Sequence, residues 1–200
     1  MNVIYTIGHS NHSIEFLLDL LLSQRVSAVA DVRSIPASRF APHFSGRALQ
    51  YALRKFEIAY AFLGLELGAR SRNPACYREG VVQYELLSRE PRFEQGLARL
   101  RRGMQTHRIA LLCAEREPLE CHRAVLVGRE LHVAGSHVEH IHSDGSLEAH
   151  EALECRMLAT HRIAEHDLFA SREELIAEAY RRQAAAISYR DESMSEEPGE

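Results

Sequence analysis

The sequence predicts an α/β fold in which a mostly parallel sheet of about five strands forms the middle of three layers, with helices on both faces and a C-terminal helical extension. Short β-branched or apolar runs alternate along the chain with longer runs that repeat apolar residues at helical spacing. Such alternation is typical of parallel sheets that are covered on both faces. The length of 200 residues and the apolar fraction of 46% suit one domain with a sizeable core.

The first half of the chain predicts three strands and two helices. Val3 to Ile7 is a strand of β-branched and aromatic residues, which Gly8-His9-Ser10-Asn11 ends. Ser13 predicts the N-cap of the helix that follows, because its hydroxyl can accept a hydrogen bond from the first turn. The remaining elements are a strand at 28–32, a helix at 47–56 and a strand at 58–63, with long irregular stretches at 34–46 and 64–80.

The second half predicts two more strands among longer helices. These elements are a helix at 91–104, the most apolar strand at 109–113, a helix at 118–133 with an early proline, a strand at 138–141 and a helix at 147–187 that breaks near 168–171. We expect one domain at 1–146, a helical extension of it at 147–187, and a disordered acidic tail at 188–200. The extension fits packing on its own sheet or on a second copy, so a homodimer is one arrangement.

The formal net charge of −4 gives no general attraction to nucleic acid or to a membrane. No apolar stretch reaches the ~18 residues that a membrane span needs, and the N-terminus lacks a signal-peptide pattern. We therefore expect a cytoplasmic protein whose four cysteines are reduced. Every basic residue except Lys55 is arginine, which reflects either codon usage or anion recognition.

Four polar clusters directly follow predicted strands. They are Gly8-His9-Ser10-Asn11, Asp31-Val32-Arg33-Ser34, Cys113-Ala114-Glu115 and His142-Ser143-Asp144-Gly145. Because ligands of parallel α/β sheets bind beyond the carboxyl ends of the strands, we expect these clusters to lie on one rim. Polar loops arise by chance as well, but this rim is unusually rich in Cys, His, Asp, Glu and Arg.

The strongest of these signals joins Cys113-Ala114-Glu115 to Cys121-His122-Arg123. The second triplet lies at a predicted helix start, where free N–H groups and the helix dipole favour anions and lower a thiol pKa. Cys121 is therefore a candidate thiolate, Arg123 a candidate anion-binding residue and Glu115 a candidate general acid or base. The alternative is that both cysteines are small buried apolar side chains. We favour burial for Cys113, whereas both interpretations stay open for Cys121.

Arginines in two other segments are candidate anion-binding residues. Arg33 and Arg39 follow Asp31, which would orient them or act as a base. An Asp beside an Arg is as often a plain ion pair, so that alternative stays open. Arg70 and Tyr77 lie in the second irregular stretch, which is either a surface loop or a lid over a ligand.

A metal site is an alternative use of the same side chains. Cys113 and Cys121 have seven residues between them, unlike the C-x₂₋₄-C pairs of structural zinc sites. His122, His140 and His142 are weak candidates to complete a metal shell, and we do not predict a metal. The sequence contains no NAD or ATP motif, so it leaves the cofactor unknown.

Together these segments resemble the DUF488 family, whose name denotes a domain of unknown function. The resemblance spans roughly residues 4–145 and ends before the C-terminal helix. The residues that carry it are Tyr5-Thr6-Ile7-Gly8-His9-Ser10-Asn11, Asp31-Val32-Arg33-Ser34, Pro36, Ser38-Arg39, Phe44, Tyr60, Leu63-Gly64, Glu66-Leu67-Gly68, Tyr77, Gly80, Leu111-Leu112-Cys113-Ala114-Glu115, Cys121-His122-Arg123, His140-Ile141 and Asp144-Gly145. It implies an α/β fold and this set of residues, without a particular reaction.

Two hypotheses of different classes follow. In the first, the protein is an enzyme that acts on an anionic substrate bearing phosphate or carboxylate, such as a nucleotide or a nucleic-acid base. In the second, a non-catalytic module binds nucleic acid or a small anion through the same arginines; a metal-dependent enzyme or thiol sensor is a weaker third. We favour the enzyme. Its expected catalytic residues are His9, Asp31, Glu115 and Cys121, and its expected substrate-binding residues are Ser10, Asn11, Arg33, Ser34, Arg39, Arg70, Tyr77, His122, Arg123 and Asp144.

Overall fold

A six-stranded sheet lies at the centre of the computed structural model, which describes residues 3–37 and 41–194. In spatial order its strands are β3 (Ala59–Phe62), β2 (Ala28–Asp31), β6 (Ile109–Cys113), β1 (Val3–Gly8), β7 (His137–Ile141) and β8 (Leu147–Ala149). The first five are parallel, and β8 is antiparallel to β7. A separate hairpin pairs β4 (Tyr77–Arg78) with β5 (Val81–Val82). The predicted fold class is confirmed, with one strand more than expected.

Helices cover both faces of this sheet. One face carries α1 (Ile14–Ser23) and α2 (Gly46–Arg54), and the other carries α3 (Gly64–Leu67), α4 (Tyr84–Leu87), α5 (Pro91–Gly103), the π-helix Arg123–Gly128, α6 (Arg129–Val133), α7 (His150–Thr160) and α8 (Arg172–Ile187). Short 3₁₀ turns lie at Pro42–Phe44, Pro74–Cys76, Pro118–Glu120 and Glu192–Met194. Among the described residues, no helix is long and apolar enough to cross a membrane.

Side-chain alternation along the strands builds two hydrophobic cores. On β6, Ile109, Leu111 and Cys113 face the core shared with α5, α7 and α8. Ala110 and Leu112 face the core shared with α1 and α2. All five side chains are buried, so β6 is apolar on both faces, as its sequence predicted.

Side-chain caps define where two of the helices begin. The hydroxyl of Ser13 accepts a hydrogen bond from the backbone N–H of Phe16 at 3.2 Å, which confirms the predicted N-cap of α1. At α8, Ser171 and Glu174 form a reciprocal capping box. These short-range bonds satisfy N–H groups that the helix itself leaves unpaired.

Several segments differ from the predicted elements; the stretch at 64–80, predicted to be irregular, contains α3 and β4. Residues 147–149 form β8 instead of starting a helix, because they pair with β7 after a tight turn. The helix expected at 118–133 begins only at Arg123, since Cys121 has an extended backbone with φ −137° and ψ 135°. The C-terminal helix breaks earlier than expected, because Arg162, at a left-handed φ of 54°, follows the end of α7.

The C-terminal helices pack against the sheet of their own chain. Leu153, Met157 and Leu158 of α7 and Tyr180 of α8 are buried in the core that includes β6 and α5. The apolar face of the extension is therefore covered within the chain.

The segment beyond α8 lies along the hairpin. The backbone N–H of Val82 donates to the carbonyl of Tyr189 at 3.0 Å, and that of Asp191 donates to the carbonyl of Gly80 at 2.7 Å. The first residues of the expected acidic tail thus pair with the domain, whereas 195–200 lie outside the described residues.

A chain of buried hydrogen bonds ties these helices to the sheet. Thr6 Oγ1 lies 2.8 Å from His140 Nδ1, and His140 Nε2 lies 3.0 Å from His150 Nδ1. His150 Nε2 lies 2.7 Å from the hydroxyl of Tyr180, which donates to Glu154 at 3.1 Å. Every group is satisfied when each donates to the next toward Glu154 and both imidazoles are neutral. A second proton on His150 would place two N–H donors face to face.

We expect the Tyr180→Phe substitution to lower the free energy of unfolding by about 1–3 kcal/mol, because Glu154 loses a donor and His150 an acceptor. Urea unfolding followed by circular dichroism measures this change. Tyr51→Phe is the matched control, since Tyr51 is 67% exposed and its substitution should change little. Equal effects of the two substitutions would contradict the role of the buried chain.

We also expect the unfolding free energy to fall as pH falls from about 6.5 toward 3. Burial and the positive charges of His132 and Arg129 lower the pKa of His150 to about 3. The unfolded chain keeps the ordinary value near 6.5, so it binds a proton first and is favoured below that pH. Urea unfolding from about pH 8 to 4 should therefore show a weaker pH dependence in His150→Gln than in the wild type. Identical slopes would exclude this titration.

Candidate active site

Three neighbouring strands end around a cavity of about 400 Å³. β6 lies between β2 and β1 and all three are parallel, so the residues that follow them meet at one edge of the sheet. His9 follows β1, Arg33 follows β2 and Glu115 follows β6, and all three line the cavity. Arg70 and Tyr189 reach it from distant parts of the chain.

Arg33 is buried and fixed by Asp31. Its Nε and Nη2 donate to the two carboxylate oxygens at 2.8 and 2.6 Å, and the hydroxyl of Tyr60 donates to the same carboxylate at 2.9 Å. Nη2 also donates to the carbonyl of Phe44 at 2.9 Å. Asp31 is fully buried and, among the described residues, is not part of the cavity wall. It is thus placed to orient Arg33.

His9 is held as a neutral imidazole. Its Nδ1 lies 2.8 Å from the carbonyl of Ser10, to which it donates, so Nε2 can accept from Arg33 Nη1 at 3.1 Å. Burial and the nearby charge of Arg33 lower the pKa of His9 to about 4. Both ring nitrogens are occupied, so this arrangement makes His9 a partner of Arg33.

Four side chains with metal-binding or thiol chemistry converge at the cavity wall. Ligand atoms of Cys113, Glu115, Cys121 and His122 lie within 4.8 Å of one another. Cys121 Sγ donates to Glu115 Oε2 at 2.9 Å, and His122 Nδ1 lies 3.7 Å from Cys113 Sγ. His122 Nε2 is hydrogen bonded to the carbonyl of Val32 at 3.0 Å. That bond turns the Nδ1 lone pair toward the sulfur atoms, so the cluster offers donor atoms suited to a metal ion.

The groups in this cluster shift one another's pKa values. Burial raises the pKa of the Cys121 thiol, but a hydrogen bond with Cys113 and the charge of Arg123 outweigh it, so the pKa lies well below its usual value. Burial and the proximity of Cys121 raise the pKa of Cys113. They also raise that of Glu115, whose carboxylate turns inward although the residue is exposed. Cys121 and Glu115 thus affect each other's affinity for a proton through their direct 2.9 Å contact.

The two cysteines differ in their access to the cavity. Cys113, which we expected to be merely a buried apolar side chain, is 3% exposed and lines the cavity. Cys121 is 1% exposed and, in the part of the chain that the structure describes, is not in the cavity wall. Glu115 and His122 do line it, so the bond from Cys121 to Glu115 connects the buried sulfur with the cavity.

Arg123 and Gly8 shape the loop that carries Glu115. Arg123 is fully buried, and its Nη1 and Nη2 donate to the carbonyls of Glu115 and Arg116 at 2.6 and 3.1 Å. A Cβ on Gly8 would lie 1.8 Å from the carbonyl oxygen of Glu115, so the close approach of this loop requires glycine there. Arg123 therefore binds the protein backbone, in place of the substrate contact expected from the sequence.

Comparison with family models gives a match to the domain of unknown function DUF488 over residues 13–129. The chain belongs to the DUF488 family. The match covers more than half of the chain and includes Asp31, Arg33 and the whole Cys113–Arg123 segment, so the resemblance drawn from the motifs is confirmed. No curated protein and no solved structure matched the chain.

In this DUF488 protein, two more predicted binding residues lie at the cavity. Ser34 accepts a hydrogen bond from the backbone N–H of Arg70 at 3.1 Å, and both residues line the wall. The guanidinium of Arg70 packs over the ring of Tyr189 at 4.4 Å. The sequence did not mark Tyr189, because it lies beyond α8 in no recognisable motif. Arg39 lies outside the described residues.

Four other predicted residues are not in the cavity wall formed by the described residues. Ser10 and Asn11 bond to each other at the surface. Tyr77 is buried and donates to the carbonyl of Ser71 at 2.7 Å. Asp144 accepts hydrogen bonds within the turn between β7 and β8. These four residues thus make local contacts in turns or loops around the sheet.

The three histidines considered as metal ligands lie in different parts of the structure. His122 lies with the two cysteines, whereas His140 bonds to Thr6 and belongs to the buried chain described above. His142 Nε2 lies 3.0 Å from Glu148 Oε2. Glu115, which we considered only as an acid or base, takes their place beside the thiols.

We expect Arg123→Met to lower the unfolding free energy by about 1–3 kcal/mol, because the carbonyls of Glu115 and Arg116 lose their donors. Urea unfolding measures the loss, with Arg102→Met as the control on the exposed face of α5. A wild-type unfolding free energy in Arg123→Met would contradict the supporting role.

Proposed function

We propose that this DUF488 protein is an enzyme that acts on a small anionic substrate, bearing phosphate or carboxylate, in the cavity at the carboxyl end of the sheet. One observation carries the proposal: Glu115, Arg33 and Arg70 line the same cavity. Its volume of about 400 Å³ falls within the range of small-molecule sites.

The arginines provide the anion-binding groups of this cavity. Arg33 Nη1 carries two N–H groups, of which the contact with His9 uses one. Because Asp31 balances the charge of Arg33, recognition there depends on hydrogen-bond direction, whereas Arg70 adds net positive charge. The rigid ion pair also keeps the donor in place before the substrate arrives.

Two carboxyl groups also line the cavity. Glu115 and Glu120 repel an anionic group, so the anion of a substrate binds at the arginines. Glu115 can take up and return a proton, which makes it the acid–base group for the rest of the substrate. Positioned acid–base groups of this kind contribute about 10²–10⁴-fold to a rate.

Because the thiol of Cys121 is buried, we favour Glu115 over Cys121 as the group that contacts the substrate. Cys121 is 1% exposed, so direct attack on a molecule in the cavity would require the wall to open. Through the 2.9 Å bond, the sulfur instead affects how Glu115 holds its proton.

We expect Arg70→Ala to weaken ligand binding about tenfold, the loss of about 1.4 kcal/mol typical of a charged hydrogen bond. A thermal-shift panel of phosphate and carboxylate compounds, followed by calorimetry, identifies the ligand and measures the change. Arg102→Ala is the control, because Arg102 lies on the exposed face of α5.

With that ligand in hand, Glu115→Gln should retain binding but lose turnover by at least about 10²-fold. Product formation is followed by mass spectrometry, and Glu94→Gln serves as the control on exposed α5. Full turnover in Glu115→Gln would overturn the role of Glu115. Ligand that stays unchanged with the wild-type protein would instead favour a non-catalytic anion-binding module.

A further inference from the structure

We propose that Cys113, Cys121 and His122 hold one zinc ion whose open coordination position faces the cavity, with Glu115 beside it. The inference rests on the proposed function, because the ion would lie in the wall of the same cavity and supply its reactive group. Two thiols, an imidazole and a carboxylate within 4.8 Å of one another form a donor set that suits zinc.

The two sulfur–nitrogen distances fit tetrahedral coordination. Zinc–sulfur bonds of about 2.3 Å and zinc–nitrogen bonds of about 2.0–2.1 Å give a sulfur–nitrogen edge of about 3.6 Å. His122 Nδ1 lies 3.7 Å from Cys113 Sγ and 3.9 Å from Cys121 Sγ. Shifts of a few tenths of an ångström would therefore complete these two edges.

Neighbouring groups orient the three donors. His122 Nε2 is anchored on the carbonyl of Val32 at 3.0 Å, the arrangement that fixes a metal-binding imidazole. The backbone N–H of Arg123 donates to Cys121 Sγ at 3.5 Å, which favours its thiolate. The backbone changes from extended at Cys121 to helical at His122, so both side chains of this consecutive pair turn to the same side.

Glu115 differs from these three residues in geometry. Its Oε2 lies 2.9 Å from Cys121 Sγ, shorter than the sulfur–oxygen edge of about 3.6 Å that two ligands of one zinc ion share. The residue is also exposed and lines the cavity. A zinc ion with three protein ligands keeps a fourth position for water, as catalytic zinc sites do. Glu115 is then close enough to accept the proton of that water.

This arrangement supports hydrolysis of a phosphate or carboxylate ester or amide. The oxygen of the zinc-bound water forms a bond to the phosphorus or carbonyl carbon, and the proton of the water passes to Glu115. The bond from that centre to the leaving group breaks. The leaving group keeps the electron pair and receives the proton from Glu115. Water and the substrate are the reactants, and zinc is unchanged.

The test measures metal binding by the full chain. The chain is first reduced and freed of metal, and zinc is then added back. Native mass spectrometry should show one zinc per chain, and Co²⁺ in its place should give the thiolate charge-transfer and intense visible bands of four-coordinate cobalt. Cys113→Ser, Cys121→Ser and His122→Gln should each weaken zinc binding at least about 100-fold. Cys155→Ser, at a partly exposed cysteine outside the cluster, should not change it.

Glu115→Gln separates an open centre from a closed structural one. We expect this variant to keep its zinc with an affinity within about tenfold of the wild type, because Glu115 is not a ligand. Loss of zinc as complete as in Cys121→Ser would overturn the open position. A wild-type chain that binds no zinc, or whose Cys113 and Cys121 form a disulfide, would overturn the metal centre itself.

The same experiments separate this inference from the proposed function. Turnover by a zinc-free chain would contradict the proposed zinc centre and leave the proposed enzyme standing. Stoichiometric zinc in a chain that binds no anion would support the metal site and contradict the proposed enzyme. If the ligand variants do not fold, the cobalt spectrum of the Cys76→Ser, Cys155→Ser double variant still decides, because its thiolate bands can come only from Cys113 and Cys121.

Discussion

The position of β6 between β1 and β2 is the constraint on which the rest of the structure depends. Parallel pairing on both sides places the carboxyl ends of three strands next to one another. The ladder continues past the strands, because the N–H groups of His9 and Ser10 donate to the carbonyls of Cys113 and Ala114, both at 2.9 Å. The loops after β1 and β6 therefore leave the sheet together, and residues of both line the cavity with Arg33 and Ser34, which follow β2.

Buried charge gives these loops fixed positions. Taking an ion pair out of water costs about as much as it returns, so the pair of Asp31 and Arg33 contributes more to geometry than to net stability. Its rigidity fixes one wall of the cavity. Arg123 fixes the loop after β6 in the same way, by binding the backbone carbonyls of Glu115 and Arg116. Removing Asp31 would leave the guanidinium of Arg33 buried without its charged partner.

The C-terminal extension completes the site as well as the core. Gln183 of α8 donates to the carbonyl of Leu119 at 2.7 Å, directly before the segment that carries Cys121. Beyond α8, Tyr189 lines the cavity beneath Arg70. The buried chain from Thr6 through the two histidines holds these helices on the sheet. The cavity therefore depends on Gln183 and Tyr189, which lie outside residues 13–129, the region that the family model matches.

The sequence by itself determined the alternation of strands and helices, the buried character of β6, the cap of α1 and the placement of reactive residues after strands, because periodicity and capping act over a few residues. Only the tertiary structure decided that Cys113 reaches the cavity while Cys121 lies behind it, that His122 and not His140 joins the thiols, and that Tyr189 belongs to the site. These outcomes depend on side-chain direction in irregular loops and on contacts between distant segments. Tertiary packing fixes both, and no local pattern records either.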